Sequence, residues 1–223
     1  MPQEARLKLA TLLREEDPTF MVIGACGGVM GMPGASKYLE FSDKLFDAPE
    51  EIDNMARRNF ERGLEQGQAL RNAGVEAVYM AADMADNHGP FFNPEQMDRF
   101  ILSYIRKMAE KLKEMGMYVM LHTDGDLAPI LSDLANTGIY ALQAIDPVAG
   151  MDIKKVKAEV GDRICLCGNV DTGLLVTGPA AEIYESTRDI LQECKEGGGL
   201  VLGASNATVL ETPMQNCHEM IRA

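Results

Sequence analysis

The chain has no tryptophan and is short of basic residues. Its 21 lysines and arginines face 34 aspartates and glutamates, giving a net charge of −13 over 223 residues. Nucleic acids and anionic membranes need basic patches, and none is visible, so neither is expected as a partner. Cysteine is scarce and odd in number, at five, without the spacing of a small disulfide scaffold. That usage implies a reducing cytoplasm. No run approaches the ~18 apolar residues of a membrane span, and the N-terminal stretch MPQEARLKLATLLREEDP lacks a signal-peptide core. Neither GxGxxG nor GxxxxGK[ST] follows an apolar run, which argues against the nucleotide-binding α/β folds. No low-complexity tract or linker interrupts the chain, so residues 1–223 are expected to form a single domain.

What is present is a repeated rhythm. The stretch 117–126, MYVMLHTDGD, is a short apolar run that breaks into His122, Asp124 and Asp126. Around it, helical periods end at glycine, apolar runs of strand length follow, and a polar residue stands beyond each run. The strand candidates are residues 20–25, 75–82, 117–121, 139–145, 163–167 and 200–203. The helix candidates are residues 3–15, 47–72 with Asp47 as N-cap, 93–115, 127–136, 152–160 and 179–195, with a last one after Thr212-Pro213. In residues 93–115, Met97, Phe100, Ile101, Tyr104, Ile105, Met108, Leu112 and Met115 keep the 3.6-residue period. In residues 47–72 the expected face is Ile52, Met55, Ala56, Phe60 and Leu64. Glycine suits the left-handed position after a helix. Helices alternating with continuously apolar strands specify a parallel sheet buried on both faces. Six strands are two short of a closed (β/α)₈ barrel, so an open doubly wound sheet competes on count alone.

Parallel α/β proteins place their chemistry just beyond strand ends, which selects the candidate residues. His122 and Asp124 lie two apart and project to one side of an extended chain, as a metal site or an acid–base pair; a hydrogen-bonded turn is the competing reading. Asp83 and Asp171 follow other strands, and Asp171 closes the sequence Gly168-Asn169-Val170-Asp171. Asp126 reads as a helix cap and Asp146, before Pro147, as a turn former. His88 and His218 read as solvated, Cys217 as core, and Cys26 as core or loop. Cys165 and Cys167 share a strand face but lack a second pair at ligand spacing, so they read as small buried hydrophobes.

In this order and spacing, several motifs together resemble the uroporphyrinogen decarboxylase superfamily, from about Phe20 to the C-terminus. They are Gly89-Pro90, Asn93-Pro94-Glu95, Leu121-His122-Thr123-Asp124-Gly125-Asp126, and Gly150-Met151-Asp152-Ile153 with Lys157. Gly168-Asn169-Val170-Asp171, Gly197-Gly198-Gly199 and Thr212-Pro213-Met214-Gln215-Asn216 follow. The resemblance implies a TIM-type (β/α)₈ barrel, incomplete here at about six strands because the family's N-terminal portion has no counterpart. It implies either methyl transfer from a corrinoid, as in the methyltransferase branch, or porphyrinogen decarboxylation. The His122-Thr123-Asp124-Gly125 form is closer to the first. The methyltransferases hold zinc through a His-x-Cys pair and a later cysteine; His122 matches the histidine, while Asp124 and Asn206 stand at the cysteine positions. The resemblance therefore implies His122, Asp124 and Asp171 as catalytic residues, with His122 and Asp124 as ligands of zinc. It implies Asp83, Gly168, Asn169 and Asn206 as substrate-binding residues. Its partner would be a corrinoid protein or a free tetrapyrrole, with the corrinoid as methyl donor, and self-association is expected of an incomplete sheet. A non-catalytic binding subunit or a gene fragment is the third reading.

Overall fold

The computed structural model describes residues 3–223. In chain order, helix α1 (Gln3–Glu16) precedes strand β1 (Ile23–Cys26), and helices α2 (Tyr38–Asp47) and α3 (Pro49–Asn72) precede β2 (Ala77–Ala81). A small hairpin of β3 (Ala85–Asp86) and β4 (Gly89–Pro90) follows. Helix α4 (Pro94–Met97) then runs through a π turn, Asp98–Leu102, into α5 (Ser103–Glu114). Next come β5 (Tyr118–Thr123), α6 (Leu131–Ala135), β6 (Ala141–Ala144), α7 (Ile153–Val160), β7 (Cys165–Val170) and α8 (Thr172–Thr177). Helix α9 (Ala180–Cys194), β8 (Leu200–Ala204) and α10 (Met214–Arg222) end the chain. Six strands form one parallel sheet in the order β1-β2-β5-β6-β7-β8, so the expected six-stranded α/β architecture is present and the sheet is not closed.

The chain folds as two compact units. Of the described residues, one unit comprises residues 3–82, Phe92–His122 and Asn136–Tyr140; the other comprises Asp83–Phe91, Thr123–Ala135 and Ala141–Ala223. In the first, β1, β2 and β5 pair in parallel, with Ile23 opposite Ala77, Ala77 opposite Tyr118, and Ala81 opposite His122. Asn93 starts α4 with a capping box: its side chain accepts from the Gln96 N–H, and the Gln96 side chain accepts from the Asn93 N–H. The periodic face expected beyond it is the buried one, with Met97, Phe100, Ile101, Ile105, Met108 and Leu112 at most 1% exposed. Each side chain of this kind contributes about 1.5–3 kcal/mol on burial.

Four details of this unit differ from the sequence reading. Residues 38–47 form α2, which has no clean apolar stripe: Phe41 and Leu45 are buried while Leu39 and Phe46 lie in solvent. Asp47 ends α2 rather than capping α3, whose N-cap is Ala48 and whose first turn holds Pro49. The buried seam of α3 is Ile52, Ala56, Gly63, Gly67 and Leu70. Its glycines belong to the core because neighbours approach closely: a Cβ on Gly63 would lie 2.4 Å from Gly28 Cα. The first strand also starts later than expected, at Ile23, leaving Phe20 and Met21 exposed.

In the second unit, β6, β7 and β8 pair in parallel, with Gln143 opposite Cys167 and Cys167 opposite Val201. Helices α7 and α9 pack on β7, and α10 packs on α9. Aspartates start two of its helices. Asp152 accepts from the Lys154 N–H ahead of α7, and Asp171 accepts from the Gly173 and Leu174 N–H groups ahead of α8. The buried Asn216 amide donates to the Leu175 and Gly178 carbonyls, tying α10 to the end of α8.

Candidate functional site

Every candidate acid or imidazole sits where a strand gives out. Asp83 stands two residues past β2, His122 and Asp124 at the end of β5, Asp171 directly after β7, and Asn206 two residues past β8. Along β5, Val119, Leu121 and Thr123 are fully buried, while Tyr118 is exposed and Met120 is half-buried. His122 and Asp124 continue that second, more open face by the two-residue alternation of an extended chain. In β2 the same parity puts Tyr79 and Ala81 on the face that Asp83 continues. The Tyr79 and His122 rings stack there, 5.7 Å between centroids and 29° between planes.

Asp83, His122 and Asp124 each offer a ligand atom, and these atoms lie within 4.8 Å of one another. The donor set is one imidazole nitrogen and two carboxylate oxygens, which fits a divalent cation with coordination positions left over. The loop beneath is fixed by hydrogen bonds. The Asp124 N–H donates to Asp83 Oδ1 at 3.2 Å. The buried Thr123 hydroxyl accepts from the Met84 N–H and donates to the Asp124 carbonyl. Asn206 Nδ2 donates to Asp124 Oδ2 at 2.6 Å, while Asn206 Oδ1 accepts from the Ala207 N–H. Gly125 lets the loop turn: its φ is +94°, and a Cβ there would lie 2.5 Å from the Ala85 carbonyl oxygen. No alanine fits.

The other candidates occupy defined places. Asp171 Oδ1 caps α8, as above. Asn169 is buried, and its amide donates to the Ile145 and Met151 carbonyls, 2.8 and 3.4 Å away. Gly168 has φ +136°, and a Cβ there would meet the Ala144 carbonyl oxygen at 2.6 Å. Asp146 accepts from the Val148 N–H, the turn role read from its sequence context. Asp126 accepts from the Ala128 N–H, and the capping position of the following 3-10 turn falls to Leu127. His88 and His218 are exposed. Cys26 is buried, bonds to the Gly63 carbonyl, and has its thiol pushed up to about 11 by burial. Cys217 is half-buried rather than core, and all five cysteines are free thiols. Thr123 is the hydrogen-bonding neighbour of the candidate site that the sequence did not single out; its buried parity in β5 was the available signal.

Comparison with known proteins gives this geometry a lineage. Residues 4–223 match the family description Uroporphyrinogen decarboxylase (URO-D). A uroporphyrinogen decarboxylase of Hydrogenovibrio crunogenus is 30% identical over 159 residues, covering 70% of this chain and 44% of the relative. That of Pseudoalteromonas atlantica is 27% identical over 159 residues, 68% of this chain and 42% of the relative. The chain thus spans less than half the length of these curated relatives. Among solved structures, a methyltransferase from Methanosarcina mazei superposes with a TM-score of 0.76 at 22% identity, over 98% of this chain and 63% of that one. At that identity the likeness is one of fold. The family match runs through every strand-end motif described above, and the chain belongs to the uroporphyrinogen decarboxylase family.

Proposed function

We propose that this chain is a cytoplasmic methyltransferase-type member of the family, working as one domain and moving a methyl group between a corrinoid and a thiol. The observation that carries the reading is the Asp83, His122 and Asp124 cluster at the ends of β2 and β5. These three residues would hold a divalent metal, zinc by the resemblance, and a cation bound there supplies the charge that keeps an acceptor thiol deprotonated near neutral pH. The protein's own part is positioning. Asn206 orients Asp124, Thr123 and Asp83 hold the loop, and the stacked Tyr79 ring limits rotation of His122. Asp171, Gly168 and Asn169 line the approach of the corrinoid, which a corrinoid protein presents. In the transfer the thiolate forms the new sulfur–carbon bond, the cobalt–carbon bond breaks, and the corrinoid keeps the electron pair.

Porphyrinogen decarboxylation is the second reading, favoured by the names of the curated relatives. A substrate with several acetate and propionate arms calls for arginine. Arg57, Arg58, Arg62, Arg71, Arg99 and Arg106 are exposed on α3, the π turn and α5, and three of them pair with Glu61, Asp53 and Asp98. The strand ends offer carboxylates, which repel a polycarboxylate, and amides, which bring no positive charge to it. Purified protein is therefore expected to demethylate methylcobalamin in the presence of a small thiol, read from the corrinoid spectrum, and His122→Ala to lose the activity. Decarboxylated porphyrins among the products would reverse the order of the two readings. Inactivity in both assays would leave a non-catalytic binding subunit or fragment. Elemental analysis decides the metal: less than about a tenth of an equivalent, unchanged by His122→Ala, would end that assignment.

A further inference from the structure

Cys165 and Cys167 lie on one face of β7 with a single residue between them. Their paired neighbours show which face it is. Gln143 and Val201 stand beside Cys167, and Val201 is 53% exposed. Leu166, between the cysteines, points the other way and is fully buried. Cys167 is buried and Cys165 half-buried. The ground around Cys165 is small-residue: Ala141 pairs with it on β6, and a Cβ built on Gly199 would lie 3.9 Å from its Cα. The same Cβ would lie 3.4 Å from Lys157 Nζ, and that ammonium donates to the Gly198 carbonyl. A lysine ammonium is therefore held on the glycine turn that borders Cys165, near enough for its charge to act on that thiol. A hydrogen bond from Cys167 and then the Lys157 charge draw the Cys165 thiol down to about 7, against the effect of burial. Cys26, Cys167 and Cys194 are all displaced the other way, Cys26 and Cys194 chiefly by burial and Cys167 chiefly by its bond to Cys165.

We propose that Cys165 and Cys167 form a peroxide-oxidisable dithiol, with Cys165 the attacking thiolate and Cys167 the resolving thiol. The Cys165 sulfur takes one oxygen from a hydroperoxide, the O–O bond breaks, and the sulfenic acid forms as hydroxide leaves. The Cys167 sulfur then attacks that sulfur, a disulfide forms, and the sulfenic oxygen departs as water. Two residues apart on a strand, the Cα atoms are separated by about 6.5 Å, near the upper end of the range a disulfide accepts, and the parallel Cβ atoms must close to about 4 Å, so the bridge forms with a local shift of the β7 backbone. A bridge closed at that limit is strained and easily reduced, which makes the change reversible. Lys157 is the positioning residue, stabilising the thiolate without touching the oxidant.

The test is intact-mass analysis of the whole chain treated with hydrogen peroxide. The wild-type protein is expected to lose about 2 Da, with the bond mapped between Cys165 and Cys167 and removed by dithiothreitol. Cys167→Ser should instead take up about 16 and then about 32 Da at Cys165, because nothing resolves the sulfenic acid. Lys157→Gln should slow the wild-type reaction several-fold. Limiting iodoacetamide on the untreated wild-type protein needs no variant to fold, and Cys165 should be the first of the five cysteines labelled. Absence of the mass loss, a bridge to Cys194, or preferential labelling of another cysteine would each overturn the proposal.

Discussion

An aspartate that caps a helix and one that serves chemistry respond differently to asparagine, and Asp171 can be assigned on that basis. Its Oδ1 accepts two N–H groups at the start of α8. Asparagine keeps an acceptor there, whereas alanine leaves those donors unmet at a cost of about 0.5–2 kcal/mol. Asp171→Asn is therefore expected to melt with the wild type and Asp171→Ala below it. If Asp171 also acts in methyl transfer, Asp171→Asn loses turnover without losing stability; full activity would reduce the residue to its cap. At Asn206 the expected effect is on metal affinity. Asn206→Ala removes the hydrogen bond that orients Asp124, and outer-shell partners of this kind are worth about 10–100-fold in affinity, measurable by competition with a chelator. His122, Asp124 and Asp83 could be read from the sequence because the alternation of a strand and the breakpoints of apolar runs are local. The bond from Asn206 to Asp124 joins residues 82 apart and leaves no local pattern.

At the level of elements, the sequence was readable wherever a helix buries one continuous stripe, as α4 and α5 do, and unreadable where burial is split. Helix α2 exposes two of its large apolar side chains, so its period is obscured, and the core face of α3 is partly glycine, which hydrophobicity overlooks. The seam of α3 makes a sharp prediction. Alanine gains about 1 kcal/mol over glycine in a helix interior. At Gly63, however, the new Cβ meets Gly28 Cα at 2.4 Å and the Gly27 carbonyl oxygen at 2.8 Å, both backbone. Gly63→Ala should lose about 1–3 kcal/mol in urea unfolding. Gly67→Ala should lose less, because the single close approach of its Cβ is to the Leu112 Cδ2 atom at 2.5 Å, on a side chain that can turn away. Cys26, on β1 beside Gly63, adds a pH dependence. Its thiol ionises near 11 in the folded chain, above the ordinary value of 9.0. Below pH ~9 the thiol is neutral in both states and stability is unaffected. Above it the unfolded chain releases the proton first, so stability falls as pH rises towards 11, by up to about 2.7 kcal/mol. Cys26→Ala should flatten that alkaline slope in denaturation curves, after correction for its lower stability at neutral pH.

For the whole molecule the governing facts are an open sheet and a net charge of −13. Among the described residues, β1 and β8 each have a strand neighbour on one side only, and unpaired strand edges are templates for association. At the β1 end, α1 lies across an apolar hollow lined by Leu7, Ala10, Leu13, Val22, Ile23 and Leu70. Leu9, Leu12, Leu13, Phe20, Met21 and Ile23 there are all exposed by more than two-fifths. A patch of that kind favours self-association, while the like charge of every copy opposes it. Salt separates the two effects, because it screens the repulsion over about 10 Å at 0.1 M and leaves the apolar attraction in place. The chain is therefore expected to associate more strongly as protein and salt concentrations rise, with the weight-average mass from light scattering increasing together with both. Leu13→Glu combined with Phe20→Glu puts charge into the patch without touching a buried core residue, and should restore the monomer at moderate salt. A monomer at every salt and protein concentration would mean that α1 shields the β1 edge on its own. Association that survives the double substitution would move the contact to the β8 edge, where the exposed Val201 and the Cys165–Cys167 face lie.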